Sequence, residues 1–261
     1  MNNVNKTLYI PLYGKSYVSK KGLFLADKKA EEIWAAEGFA LKGKSKSKWL
    51  AYYMGIRSAV FDDWLRHRLE EAANAVVIHI GCGMDGRVLR VGTNHHRWYD
   101  VDFTEVITER KRYYTETDGY QMLAGDVRGG DWLNHIPQAK HAVVVMEGVT
   151  MYLTNEDLKG LMARLDSRFE RIECLMDCYT KTAAKLSKFR NPVKDVGVAK
   201  VYGVNDPKAL QHGEFLYVQE HDLTPQRYID ELKGMEKRIF SKLYAGRFSK
   251  KLYKLFEYKK G

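Results

Sequence analysis

Apolar and polar positions change their period along this chain, and the change divides it. Up to about residue 74 the apolar residues recur at helical spacing. Asp27 predicts an N-cap for a helix that runs to about Ala36 and is closed by Gly38. From Lys48 to about Ala73, the stretch WLAYYMGIRSAVFDDWLRHRL fits one helix, or two that meet near Gly55. Beyond it the apolar runs shorten and become β-branched. AVVIHI (75–80), RWYDVDF (97–103), YQMLAGDV (120–127), HAVVVMEG (141–148) and RIECLMDCYT (171–180) predict strands. A helix containing ERKRYY (109–114) is predicted after the second, and Thr154 with Asp157 forms a capping box for another after the fourth. AVVIHI and HAVVVM are apolar on both faces, as strands between two helical layers are. Strands alternating with helices predict a doubly wound, mostly parallel α/β sheet.

The alternation breaks at 181–213, where NPVKDVGVAKVYGVNDPKALQHG mixes Pro, Gly, Asn and aromatics. This segment is expected to be a lid or a substrate wall. Within it, Asp206-Pro207 predicts a short helix start. Two further alternating runs, EFLYVQEHDL and KKLYKLFEYKK, flank a helix opened by Thr224-Pro225. They are expected to pair with each other and bring the sheet to seven strands. The expected organisation is an N-terminal helical extension (1–74) and an α/β domain (75–261) carrying the insertion.

Composition supports a globular chain: 45% of the 261 residues are hydrophobic. No apolar run reaches the ~18 residues of a membrane span. The start, MNNVNKTLYIPLYG, lacks the basic-then-apolar order of a signal peptide, so a soluble cytoplasmic protein is expected. Cys82, Cys174 and Cys178 form no C-x-x-C, and no H-E-x-x-H occurs. Buried thiols are therefore expected rather than a zinc site. The net charge is +10, with lysines dense at KGKSKSK (42–48) and again from Lys233 onward. The second group is spread through an amphipathic pattern, which reads as solvated surface rather than a nucleic-acid footprint.

The candidate chemistry begins at VIHIGCGMDGR (77–87), where Gly81, Gly83 and Gly86 spell G-x-G-x-x-G. Bare backbone after a first strand suits a dinucleotide or S-adenosylmethionine equally. Acids at successive strand ends separate the two readings: Asp85, Asp100, Asp102, Asp126 and Glu147. Around anionic pyrophosphate they would be repulsive, so they favour a cationic cofactor.

These residues also carry a resemblance. IPLYGKS (10–16), IRSAVFDDWL (56–65), VIHIGCGMDGR (77–87), WYDVDFTEVI (98–107), LAGDV (123–127), MEGVTMYL (146–153) and VYGVNDPKAL (201–210) run in order across most of the chain. Together they resemble the class I S-adenosylmethionine-dependent methyltransferases. The resemblance is greatest to the leucine carboxyl methyltransferase superfamily, in its tetracenomycin-type branch of polyketide O-methyltransferases. It implies a Rossmann-like methyltransferase fold and S-adenosylmethionine as cofactor, with S-adenosylhomocysteine as product. Gly81 and Gly83 would give room at the cofactor, and Asp102, with Asp100 close by, would accept from the ribose. Asp126 and the Val127 amide would face adenine. Glu147 would approach the amino-acid end, and Arg57 would pair with its carboxylate, to which a guanidinium is suited. His79 and Thr150 depart from the pattern, and His79 is read as a satisfied core histidine.

The implied activity is O-methylation of a hydroxyl or carboxyl group on a small, polyketide-like acceptor. Tyr152 is the candidate for orienting that acceptor, and Tyr179 a candidate for the same mouth. His212 and His221 lie near the insertion, but loop histidines are commonly just solvated, so no base is assigned. A protein carboxyl methyltransferase and a non-catalytic basic binding module remain alternatives. A dinucleotide oxidoreductase is a further one, against which the acidic strand ends argue. The acceptor and the oligomeric state stay open.

Overall fold

Where the sequence leaves one helix or two around Gly55, the chain folds as one. The computed structural model describes residues 8–37, 46–93, 95–187 and 200–261. Helices α1 (Tyr9–Lys20), α2 (Lys28–Glu37) and α3 (Lys48–Glu71) come first, and α3 runs unbroken through Gly55. A Cβ at Gly55 would lie 2.7 Å from Val18 Cγ2 on α1, and one at Gly14 would lie 2.8 Å from Met54 Cβ. Each helix thus offers a glycine where the other crosses it. Gly55 is spent on close approach rather than on a break.

After α3 the elements are β1 (Val76–Ile80), α4 (Arg87–Val91), β2 (Arg97–Asp102), α5 (Thr104–Arg110), β3 (Tyr120–Ala124), β4 (His141–Met146), α6 (Asn155–Arg168) and β5 (Arg171–Tyr179). Then come α7 (Lys181–Ser187), β6 (Leu216–His221), α8 (Gln226–Ile229), α9 (Gly234–Leu243), α10 (Arg247–Lys250) and β7 (Tyr253–Lys260). The expected capping box opens α6: Asp157 N–H donates to Thr154 Oγ1 (3.1 Å), and Thr154 N–H donates to Asp157 Oδ2 (2.9 Å). Asp206 caps a short 3-10 turn at Pro207–Leu210. Gly38, most of KGKSKSK and residues 188–199 of the expected lid lie outside the described residues.

The seven strands stand in the order β3-β2-β1-β4-β5-β7-β6. β1 to β5 run parallel, and β7 inserts antiparallel between β5 and β6. The sheet is therefore the doubly wound, mostly parallel one that the alternating runs predict. β1 and β4 are buried at every position, and the two-residue period of a strand divides their side chains between two layers. Val77, Val143 and Val145 join Tyr52, Ile56, Phe61 and Leu65 of α3. Ile78, Ile80, Val144 and Met146 join Leu158, Leu161 and Leu165 of α6 on the other face. The winding direction reverses between β1 and β4. That opens a crevice beyond their carboxyl ends, where ligands bind in such sheets. Among the described residues, no helix is long and apolar enough to cross a membrane.

Candidate active site

β1 ends in a loop that only glycine can make. Gly81 has φ +65°, and a Cβ there would lie 2.1 Å from Val149 Cγ2; Gly83 has φ +52°. Both the backbone hand and the space therefore exclude a side chain at 81. The Gly81 N–H donates to Val101 O at 2.7 Å, and the Gly83 N–H donates to Asp102 Oδ2 at 2.8 Å. The second Asp102 oxygen accepts from Phe103 N–H, also at 2.8 Å. Asp102 thus fixes the loop to the end of β2. Burial raises its pKa to about 6, against the pull of those two N–H donors.

The loop opens onto a cavity of about 430 Å³. Arg57, Gly81, Gly83, Asp102, Val127, Glu147 and Tyr152 all line it, so the fold brings together residues spread over some 95 positions of sequence. Met84, Val106 and Phe103 supply an apolar side, and Phe103 stays 40% exposed there. Two residues expected at the site do not line the cavity. Asp100 is fully buried beneath the loop. It accepts from Tyr120 Oη (2.7 Å) and Trp98 Nε1 (2.8 Å) and pairs with Arg110. Burial opposes its charge, yet Arg110 and its hydrogen-bond donors hold its pKa down to about 2. Arg110 also donates to the loop carbonyls of Gly83 (3.0 Å) and Asp85 (2.8 Å), so Asp100 reaches the site through that guanidinium. Asp126 is half-exposed and turned to Arg128, whose Nε lies 2.9 Å from both carboxylate oxygens and whose N–H completes an Asx turn.

The expectation of an acid-rich pocket needs correction. Glu147 is buried among Arg57 (3.0 Å), Lys15 (3.7 Å) and Arg87. Burial opposes its ionisation, but these cations hold its pKa down to about 2. Asp85 pairs with Lys15 (2.7 Å) and Arg90 (2.7 Å), and Arg90 continues to Asp62 (2.6 Å). Lys15, Arg87, Arg90 and Arg110, none of them expected at the site, thus neutralise the acids locally. Of the five acids at the strand ends, Asp102 alone has no ion pair among the described residues. The missed cations did leave a signal: Lys15 lies within IPLYGKS and Arg87 closes VIHIGCGMDGR.

His79 lies inside this network, with Nδ1 3.1 Å from Asp100 Oδ1 and Nε2 3.1 Å from Arg87 NH1. Arginine only donates, so Nε2 accepts and Nδ1–H donates: a neutral, satisfied core histidine. Tyr152 stands in a 3-10 turn at the cavity wall. Tyr179 instead packs edge-on against Tyr253, with centroids 4.9 Å apart. His212 pairs with Asp166 (2.9 Å), and His221 pairs with Glu257 (2.6 Å) beside a separate pocket of about 250 Å³. Neither histidine lines the larger cavity.

Known proteins resemble this chain in sequence. The tetracenomycin polyketide synthesis O-methyltransferase TcmP of Streptomyces glaucescens is 31% identical over 156 residues, which are 59% of this chain and 58% of that protein. The S-adenosyl-L-methionine-dependent methyltransferase dpfgK of Gibberella zeae is 25% identical over 183 residues, 64% of this chain and 61% of its own length. The match therefore spans less than two thirds of either relative. The crystal structure of magnesium protoporphyrin IX methyltransferase from Synechocystis PCC 6803 superposes with a TM-score of 0.53 at 12% identity. It covers 95% of this chain and 97% of that one, a likeness of fold. Residues 6–166, more than half of the sequence, match the leucine carboxyl methyltransferase family model, and the chain belongs to that family.

Proposed function

We propose that this protein is an S-adenosylmethionine-dependent O-methyltransferase acting on a hydroxyl or carboxyl group of a small, polyketide-like molecule. One observation supports it most: Asp102, the strand-end acid without a cation, sits on a cavity wall beside a glycine loop whose N–H it accepts. An ionised carboxylate there is the acceptor that two ribose hydroxyls need. The other wall groups fit the same cofactor. Val127 presents its backbone, and Phe103 an apolar face, to the adenine end. Arg57 and Lys15 offer cations to the cofactor's carboxylate, and Glu147 offers its charge to the ammonium. Asp126, next to Val127, would have to leave Arg128 to meet the adenine amino group. Asp100 supports the loop through Arg110.

When bound, the cofactor supplies an electrophilic methyl group on a sulfonium, open to in-line displacement. The chain's own part is to hold, align and exclude water. Tyr152 is placed to orient the acceptor oxygen at the mouth. A carboxylate acceptor arrives as a nucleophile and needs no base, whereas a hydroxyl must lose a proton; neither His212 nor His221 lines the cavity to take it. A cytoplasmic location goes with this reading, since all three cysteines are buried and unpaired.

The test is incubation with methyl-labelled S-adenosylmethionine and a panel of aromatic phenols and carboxylic acids. Label on a small acceptor is the expected result. Label found only as a base-labile ester on a protein C-terminus would overturn the small-molecule assignment.

A further inference from the structure

Arg57 does not stand alone at the cavity wall. One edge of its guanidinium faces Glu147, with Nε at 3.1 Å and NH2 at 3.0 Å from Oε1. The other faces away from the cavity. There NH1 donates to Tyr253 Oη at 2.8 Å and lies 3.1 Å from Asp177 Oδ2. The Tyr253 hydroxyl in turn donates to Asp177 Oδ2 at 2.6 Å. The other oxygen of Asp177 accepts the Gly148 N–H at 2.8 Å, in the left-handed residue (φ +74°) that follows β4. Asp177 is fully buried, and neither it nor Tyr253 lines the cavity.

Tyr253 opens β7 and is paired in register with Tyr179 at the end of β5. Its ring is held between Tyr179 (4.9 Å, 74°) and Tyr53 of α3 (6.2 Å, 27°). The hydroxyl is therefore delivered from a fixed ring. A long arginine side chain has many rotamers, and ordering it for one ligand contact is costly. A second, buried set of acceptors behind the guanidinium removes that cost before the ligand arrives.

We propose that Tyr253, with Asp177, is a positioning residue for the cofactor: it fixes Arg57 so that the guanidinium meets the cofactor's carboxylate end. The residue lies outside the stretch 6–166 that the family model matches. The inference rests on the function proposed above.

The experiment compares two ligands on the full chain by calorimetric titration. S-adenosylhomocysteine has the amino-acid end, whereas 5′-methylthioadenosine keeps the nucleoside and lacks that end. In Tyr253→Phe the ring stays and the hydroxyl's two hydrogen bonds, from Arg57 and to Asp177, are lost. The Kd for S-adenosylhomocysteine should then rise roughly tenfold, while that for 5′-methylthioadenosine stays within about twofold. In an Arg57→Ala background, Tyr253→Phe should add nothing. An equal loss for both ligands would show a merely structural role and overturn the proposal, as would no loss for either. Wild-type protein that binds neither ligand would overturn the proposed function itself, and this inference with it. Asp177→Asn, which keeps an acceptor for Gly148, should repeat the selective loss if Tyr253→Phe fails to fold.

Discussion

Cofactor affinity should titrate with Asp102. Its pKa in the free protein is raised to about 6 by burial, even though two N–H groups donate to it. Ribose hydroxyls donate to the ionised carboxylate, so bound ligand favours the charged form and lowers that pKa. The sign follows: affinity is full above pH 6 and is lost as pH falls through 6. With half of the sites protonated at pH 6 and about nine-tenths at pH 5, apparent affinity falls about tenfold between pH 7 and pH 5. Other wall groups do not produce this window. Glu147 is held down to about 2, and His79 is pushed below its ordinary 6.5, chiefly by burial. The amino-acid end of the ligand also keeps its charges across this range. The assay is calorimetric titration of S-adenosylhomocysteine at several pH values and constant ionic strength. Asp102→Asn should bind at least about tenfold more weakly at pH 7 and show no slope. A flat wild-type profile, or a slope that persists in Asp102→Asn, would refute the assignment.

Two predictions concern the scaffold. Gly55→Ala would gain about 1 kcal/mol of helix propensity if Gly55 were an idle helix residue. With the new Cβ 2.7 Å from the fully buried Val18, overpacking of ~1–3 kcal/mol should outweigh that gain. Thermal unfolding should therefore show a lower Tm, restored by adding Val18→Ala; a raised Tm in the single variant would refute the close-approach account. Glu147→Gln leaves Arg57, Arg87 and Lys15 short of one buried negative charge. Denaturant unfolding should show a loss of about 3–5 kcal/mol, and a loss below about 1 kcal/mol would contradict the pairing described.

The sheet was legible because its central strands are buried on both faces: continuous runs such as HAVVVM have few other uses. Thr154 and Asp157 were legible because a capping box is local in sequence. The glycine loop and Asp102 could be placed because strand ends in a doubly wound sheet converge on one crevice. Gly55 was ambiguous because its partner, Val18, lies on another helix. The cations were harder still. The pairings of Lys15 with Asp85, Arg57 with Glu147 and Arg110 with Asp100 are set by tertiary packing, and a strand-end acid looks alike whether paired or bare. Asp126 was a milder case, since its partner Arg128 is only two residues away.

The loop at 81–86 is proposed to hold S-adenosylmethionine and not a dinucleotide. The most direct measurement is calorimetric titration of the protein with S-adenosylhomocysteine, with NADH in parallel. Saturable binding of S-adenosylhomocysteine alone, lost in Asp102→Ala, is the expected result. Binding of NADH alone would contradict it.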